Sequence, residues 1–147
     1  MPTSASEEGK NVIYHMPDSS KYRKSEGTRA WKNTNPGNIR YSNFTKSAGA
    51  IGKAGGFSVF PDEATGQQAI EKLLKTDSYN KLTVAGAISR YAPPVENDTA
   101  SYQRNLEKMT GISVNKRMAD LTPEELSRVA GAIKKIEGWR EGKTERL

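Results

Sequence analysis

The sequence lacks cysteine altogether and has a single histidine, His15, among its 147 residues. Without thiols the chain can form no disulfide framework and no Cys-ligated zinc site, and it offers no cysteine nucleophile. One imidazole is too few for a His-based metal centre and disfavours a Ser-His-Asp triad. We therefore expect neither a metal ion nor an organic cofactor, and we expect acid–base chemistry to fall to carboxylates.

Long hydrophobic runs are missing as well. Only 34% of the residues are hydrophobic, and no run approaches the roughly 18 apolar residues that a membrane-spanning helix needs. The polar segment Met1–Lys10 has no apolar stretch of the kind found in secretory signal peptides. These two absences predict a chain without a membrane span and without a signal peptide.

Positive charge is in excess, with 23 lysines and arginines against 17 acids and a net charge of +6. Residues 1–30 contain five bases and four acids, so most of the excess belongs to the rest of the chain. A basic domain favours polyanions such as nucleic acid, an anionic membrane surface or the bacterial cell wall. The bases are dispersed rather than clustered in a run, which ranks nucleic acid last among these partners.

Composition divides the chain at about residue 30. Residues 1–30 are rich in Ser, Lys and Glu and show no apolar periodicity, which predicts a polar tail or docking segment. Residues 31–147 show strand-like and helical patterns and are predicted to form the folded domain. The fold class expected from these patterns is α+β, mostly helical, with one small antiparallel β-hairpin.

Predicted elements follow one another in a simple order. The apolar segments 39–41 and 57–60 are predicted strands of the hairpin, separated by a loop of small residues. Four amphipathic helices follow, the last of which begins at a capping box with proline in the first turn. Their predicted N-terminal caps are Asp62, Thr83, Asp98 or Thr99, and Thr122.

A carboxylate lies in the apolar stripe of the last helix. At 100° per residue, Glu137 falls about 20° from Leu126 around the helix and close to Ala130 and Ile133. Partial burial and the negative end of the helix dipole both disfavour an ionised carboxylate there. A carboxyl group held protonated is what a general acid requires, for example in glycoside cleavage. The alternative is that the helix frays after Ile136 and Glu137 points to water.

Four segments resemble a phage and prophage family whose members are described as virion structural or endolysin-like proteins. They are Asn35-Pro-Gly-Asn-Ile-Arg40, Gly56-Phe-Ser-Val-Phe-Pro61, Ala92-Pro-Pro-Val-Glu-Asn-Asp-Thr99 and the closing Ile-Glu-Gly138. The first matches the family's N-N-P-G-N-I-R signature, and the similarity runs from Trp31 to about Gly138. The family commonly has His-Glu-Asn-Gly near its end, whereas this chain has Ile136-Glu137-Gly138, without the histidine and the asparagine.

The same segments also resemble a lysozyme-like glucosaminidase or transglycosylase in rotated order. Those enzymes begin with a helix that ends in Glu-Ser/Thr-Gly-Trp, followed by Asn-Leu-Phe-Gly-Ile-Lys and an aromatic strand. Here Ala132-Ile-Lys-Lys-Ile-Glu-Gly-Trp139 stands last and the Asn-rich segment first. This resemblance implies a circularly permuted lysozyme-like domain over residues 31–147, a rearrangement tolerated when chain termini lie close together.

Taken together, the resemblances imply a peptidoglycan-cleaving muramidase or lytic transglycosylase. Glu137 would be the catalytic acid, Glu96 a second carboxylate or base, and Trp139 a wall of the pocket. Sugar contacts would come from Asn35, Asn38, Arg40, Tyr41, Tyr91, Asn97 and Tyr102.

Each of these assignments has a structural alternative. Glu96 suits the entry of a helix, where the dipole favours an anion, and Asn35 and Asn38 suit the organisation of a turn. Arg40 suits an ordinary strand position, and Tyr91 suits a helix core. The alternative function is a non-catalytic virion component that docks on phage tail or baseplate proteins through residues 1–30 and at most binds cell-wall glycan. The expected location is a phage virion, or the host cytoplasm before delivery to the periplasm.

Overall fold

The segment that composition predicts to be a tail forms the larger part of a four-stranded antiparallel sheet. The strands β1 (Ser4–Glu8), β2 (Asn11–His15) and β3 (Lys21–Ser25) are joined by tight turns. The last strand, β6 (Lys143–Arg146), pairs with β3, so that the sheet order is β1-β2-β3-β6. The computed structural model describes all 147 residues.

Three consecutive residues anchor this sheet to a core. Val12, Ile13 and Tyr14 are buried, and Val12 and Tyr14 pack with Ala54 and Val59. The flanking strands are rich in polar residues, with β1 mostly exposed and β3 mostly half-buried, so they show no apolar periodicity that a sequence pattern could detect. The pairing of β3 with β6 therefore had no local signal.

Of the expected fold class, the α+β designation is correct and the rest is wrong. The chain is not a mostly helical, lysozyme-like and circularly permuted domain with one small hairpin. It is a small α+β fold with two antiparallel sheets of four and two strands, in which 43% of residues are helical and 19% lie in strands. The additional sheet overturns the prediction.

The second sheet is a hairpin, but one of its predicted strands is wrong. β4 (Gly52–Ala54) pairs with β5 (Phe57–Val59), so the loop of small residues supplies the partner strand. The predicted strand at residues 39–41 contributes only an isolated bridge from Arg40 to Phe57. The short helix α2 (Asn43–Ser47) follows it and begins with a capping box at Ser42, which the sequence analysis did not identify.

The four predicted helices are confirmed, with their caps. They are α3 (Glu63–Leu74), α5 (Val84–Tyr91), α6 (Thr99–Thr110) and α7 (Pro123–Glu137). Two single turns, α1 (Arg29–Lys32) and α4 (Asp77–Asn80), complete the set.

Hydrogen bonds at the helix starts show why the caps were readable from the sequence. Asp98 accepts from the Ser101 amide at 3.1 Å, as an N-cap side chain does. In the capping box of α7, the Thr122 hydroxyl accepts from the Glu125 amide at 3.1 Å and the Glu125 carboxylate accepts from the Thr122 amide at 3.0 Å. Such pairs depend only on residues three apart, and local sequence specifies them completely.

The chain divides into two compact units. The sheet unit comprises Met1–Ala69 and Glu137–Leu147, and the helical unit comprises Ile70–Ile136. The predicted boundary at residue 30 lies inside the sheet unit. Buried apolar side chains of the helical unit include Leu74, Val84, Ile88, Leu106, Val129 and Ile133. No helix of the chain combines the length and the apolar character needed to cross a bilayer.

One glycine allows α3 to approach the segment of residues 33–39 closely. A β-carbon added to Gly66 would lie 2.6 Å from Pro36 Cδ and 2.7 Å from the Thr34 carbonyl oxygen. The carbonyl belongs to the backbone and cannot rotate away. Gly66 is therefore required by packing, although glycine normally weakens a helix.

Replacing Gly66 with alanine is expected to destabilise the protein by about 2 kcal/mol, because overpacking against backbone outweighs the gain in helix propensity. Gly131→Ala in α7 is the matched control, since nothing lies within 4 Å of its added β-carbon. That variant is expected to stabilise the protein by about 1 kcal/mol. Urea denaturation measures both, and a stabilising Gly66→Ala would contradict the close packing.

Candidate active site

The segment of residues 33–39, here called the Asn turn, is organised by a buried amide. The Asn35 side chain is fully buried; its Nδ2 donates to the carbonyls of Ile39 and Ser58, both at 2.9 Å. Its Oδ1 accepts from the Ile39 amide at 3.1 Å. Asn35 therefore organises the turn, which was the alternative to its predicted sugar contact.

Two residues of the Asn turn have left-handed backbone angles, Thr34 with φ 49° and Asn38 with φ 48°. Asparagine tolerates this conformation, but a β-branched threonine does so only when its surroundings impose it. The Thr34 hydroxyl is held by the Tyr14 hydroxyl at 2.7 Å and by Lys24 Nζ, which donates at 3.0 Å. Both partners come from the four-stranded sheet, so that sheet fixes the start of the turn.

Lys24 is a half-buried cation between two aromatic rings. Its Nζ lies 4.7 Å from the centroid of Trp31 and 5.4 Å from that of Tyr14, and it donates to the Trp31 carbonyl at 3.2 Å. Burial lowers the pKa of Lys24 to about 8, against an opposing effect of the charges on Glu141 and Glu63. Burial also raises the pKa of Tyr14. The network is therefore built from a neutral phenol and an ammonium group held away from water.

The other end of the Asn turn contacts the predicted acid. Asn38 Nδ2 donates to Glu137 Oε1 at 3.1 Å, although the two residues are 99 apart in sequence. Both side chains are half-buried. Glu137 is the last residue of α7, and Gly138 beyond it has φ 95°, so the helix does not fray after Ile136. The amide restrains the carboxyl group in one orientation.

Other predicted residues of the sheet unit lie on or near the hairpin. Arg40 is exposed, with its guanidinium carbon 4.8 Å from the Phe57 ring centroid. Tyr41 is half-buried, and Lys53 Nζ lies 5.7 Å from its ring centroid. Trp139, two residues after the acid, is half-buried as well. These residues can reach a ligand, and Arg40 is not an ordinary ladder residue of a strand.

The remaining predicted residues belong to the helical unit. Glu96 and Asn97 are exposed in a turn whose amides both bond to the Pro93 carbonyl at 3.0 Å. Tyr91 is half-buried at the end of α5, whereas Tyr102 is only 5% exposed. Tyr102 is thus a core residue rather than a platform for sugar stacking.

The single histidine does not form a catalytic triad. His15 Nε2 lies 3.2 Å from the Ser6 hydroxyl on the neighbouring strand, at an exposed position of the sheet. No carboxylate is hydrogen-bonded to the imidazole to orient it as a base, as a triad requires. No group of three or more His, Asp or Glu side chains is placed to hold a metal ion.

Four residues around the Asn turn were missed by the sequence analysis: Tyr14, Lys24, Arg29 and Thr34. Arg29 Nε lies 3.5 Å from Asn38 Oδ1, and its guanidinium carbon lies 3.8 Å from the Phe57 ring centroid. These contacts join segments distant in sequence, so no local pattern predicts them.

The chain matches no protein-family model, and a search of the curated proteins finds no match.

The depressed pKa of Lys24 predicts a rise in stability between about pH 8 and pH 10.5. In that range the unfolded lysine, with an ordinary pKa of 10.5, keeps its proton while the folded one loses it. The unfolded state then binds more protons, and stability increases with pH. As the pH rises, the urea midpoint of the wild type is expected to increase relative to that of Lys24→Met. The exposed Lys81→Met is the control, and parallel curves for wild type and Lys24→Met would contradict the prediction.

Asn35→Ala is expected to destabilise the protein by about 3 kcal/mol, because it removes three buried hydrogen bonds and takes the side-chain partner from the Ile39 amide and the Ser58 carbonyl. Asn97→Ala, at an exposed position, is expected to stay within about 0.5 kcal/mol of the wild type. Chemical denaturation measures both variants. A near-neutral Asn35→Ala would mean that the side chain does not organise the turn.

Proposed function

We propose that this protein is a peptidoglycan-cleaving glycosidase, a muramidase or lytic transglycosylase, with Glu137 as its general acid. The observation that supports it is the hydrogen bond from Asn38 to Glu137. A carboxyl group at a helix end, half-buried and fixed by an amide on a strained loop, has the restraint that proton transfer requires. Cysteine chemistry is absent, and the histidine lacks an orienting acid.

The proposed proton transfer uses the two oxygens of the carboxyl group differently. Oε1 accepts from the Asn38 amide, and Oε2 carries the proton that passes to the glycosidic oxygen. The bond between the anomeric carbon and that oxygen breaks, and its electron pair stays on the leaving hydroxyl. The sugar ring passes through an oxocarbenium-like transition state. Glu137 is left as a carboxylate.

The second step decides the product. In hydrolysis, water attacks the anomeric carbon and gives its proton to a carboxylate. In transglycosylation, the 6-hydroxyl of the muramyl residue attacks, Glu137 takes back a proton, and a 1,6-anhydro ring closes. Both routes balance without a cofactor.

The sheet unit also supplies the proposed sugar contacts. Arg40, Tyr41 and Trp139 have exposed or half-buried side chains, and Asn38 orients the acid. Tyr91 and Asn97 belong to the helical unit, where Tyr91 is half-buried and Asn97 is exposed. The proposal keeps bacterial peptidoglycan as the partner. It keeps a phage particle, or the host cytoplasm before delivery to the periplasm, as the location.

Glu137→Gln is expected to reduce release of muropeptides from purified sacculi by about 100-fold or more. The glutamine carbonyl can still accept from Asn38, so the turn is preserved while the proton donor is lost. Glu107→Gln, at an exposed position on α6, is the matched control and is expected to retain activity. Undiminished release by Glu137→Gln would remove this residue from the mechanism. Wild-type protein that binds sacculi without releasing products would favour the non-catalytic virion component.

A further inference from the structure

A row of basic side chains and aromatic rings lies beside the candidate acid. Arg29 and Arg40 both stack on Phe57, with guanidinium carbons 3.8 and 4.8 Å from the ring centroid. Lys53 continues the row over Tyr41 at 5.7 Å. We call Arg29, Arg40, Lys53 and the two rings the basic row. All three cations are exposed.

No acidic side chain neutralises this row. The ion pairs of the sheet unit join Arg23 to Glu8 and Glu145, and Lys143 to Glu145. Arg29, Arg40 and Lys53 form no ion pair within 4.0 Å. An exposed cation held by a ring rather than by an acid keeps its charge available to a ligand.

Stacking also restrains the two guanidinium groups. A guanidinium on an aromatic face gives up no N–H donor to that contact, and its planar fork matches the two oxygens of a carboxylate. Phe57 is half-buried in β5, and its backbone bridges to Arg40. The ring is thus a fixed support for both arginines, which lowers the entropy lost when they bind a ligand.

The basic row connects to the acid through one side chain. Arg29 Nε lies 3.5 Å from Asn38 Oδ1, and Asn38 Nδ2 donates to Glu137 Oε1 at 3.1 Å. The Asn38 side chain thus links Arg29 to the Glu137 carboxyl group. An anion bound by Arg29 therefore lies near the bond that Glu137 would cleave.

We propose that Arg29 and Arg40 form a subsite for the carboxylates of the peptide stem carried by the glycan. This inference rests on the proposed function and specifies its substrate. The glycan backbone offers hydroxyl and acetamido groups but no charge once its lactyl groups are amidated, whereas the stems carry free carboxylates. The subsite selects glycan strands that still bear their peptides.

The test is a binding measurement in the Glu137→Gln background, so that no substrate is consumed. Binding is compared on sacculi with intact stems, with and without phosphate polymers, and on glycan strands stripped of stems by an amidase, whose freed lactyl carboxylates are then converted to methylamides. Arg29→Gln combined with Arg40→Gln is expected to weaken binding to intact sacculi about tenfold or more, since hydrogen bonds to charged groups are among the strongest. Affinity for stripped strands is expected to stay unchanged.

Lys81→Gln combined with Lys108→Gln is the matched control, because it removes the same charge from exposed positions of the helical unit. It is expected to bind both substrates as the Glu137→Gln parent does. Each single variant, Arg29→Gln or Arg40→Gln, is expected to weaken binding to intact sacculi by less than the double variant does.

Three outcomes would overturn the subsite. The first is no loss on intact sacculi, and the second is an equal loss on stripped strands. The third is a loss seen only with walls that carry phosphate polymers, which would identify phosphate as the anion. If instead stem-dependent binding needs both arginines and the wild type releases no product, the subsite stands and the proposed glycosidase activity fails.

Discussion

The hydroxyl group of Thr34 is the point on which the candidate site depends. It accepts a hydrogen bond from Lys24 Nζ at 3.0 Å and lies 2.7 Å from the Tyr14 hydroxyl. Thr34 itself has φ 49°. A β-branched residue in this conformation costs on the order of 1–3 kcal/mol unless its surroundings impose it. The four-stranded sheet imposes it and sets the direction in which the chain enters the Asn turn.

Constraints accumulate from that point toward Asn38. The fully buried Asn35 side chain closes the turn with three hydrogen bonds. Gly66 has no side chain, which allows α3 to pack closely against the turn. Rearranging the turn would leave buried polar groups unsatisfied. The amide of Asn38 is therefore presented to Glu137 by a rigid loop, as precise positioning of a reactive group requires.

Local sequence predicted what depends on residues three or four apart. The caps at Asp98 and Thr122 and the end of α7 at Gly138 involve neighbours on one helix, so their signals survive without tertiary information. The placement of Glu137 in the apolar stripe of α7 is of the same kind, because the helix continues through this residue.

The sheet could not be predicted in this way. β1 and β3 carry charged and hydroxyl side chains on both faces, and only Val12, Ile13 and Tyr14 announce a core. The pairing of β3 with β6, more than a hundred residues later, has no periodic signal. The polar composition of residues 1–30 therefore predicts a tail, where the structure has three strands.

Because residues 1–30 were predicted to be a tail, the residues of this segment that support the candidate site were not predicted. Tyr14, Lys24 and Arg29 all lie in residues 1–30, yet each contacts the Asn turn or the ring beside it. The position of Glu137 at the end of α7 follows from helix periodicity, which is local, whereas the contacts of Tyr14, Lys24 and Arg29 join segments distant in sequence. Three of the 23 lysines and arginines form the basic row. Arg29 and Arg40 stack on one ring and form no ion pair with an acid of their own chain, so the positive charge at this surface is not compensated locally.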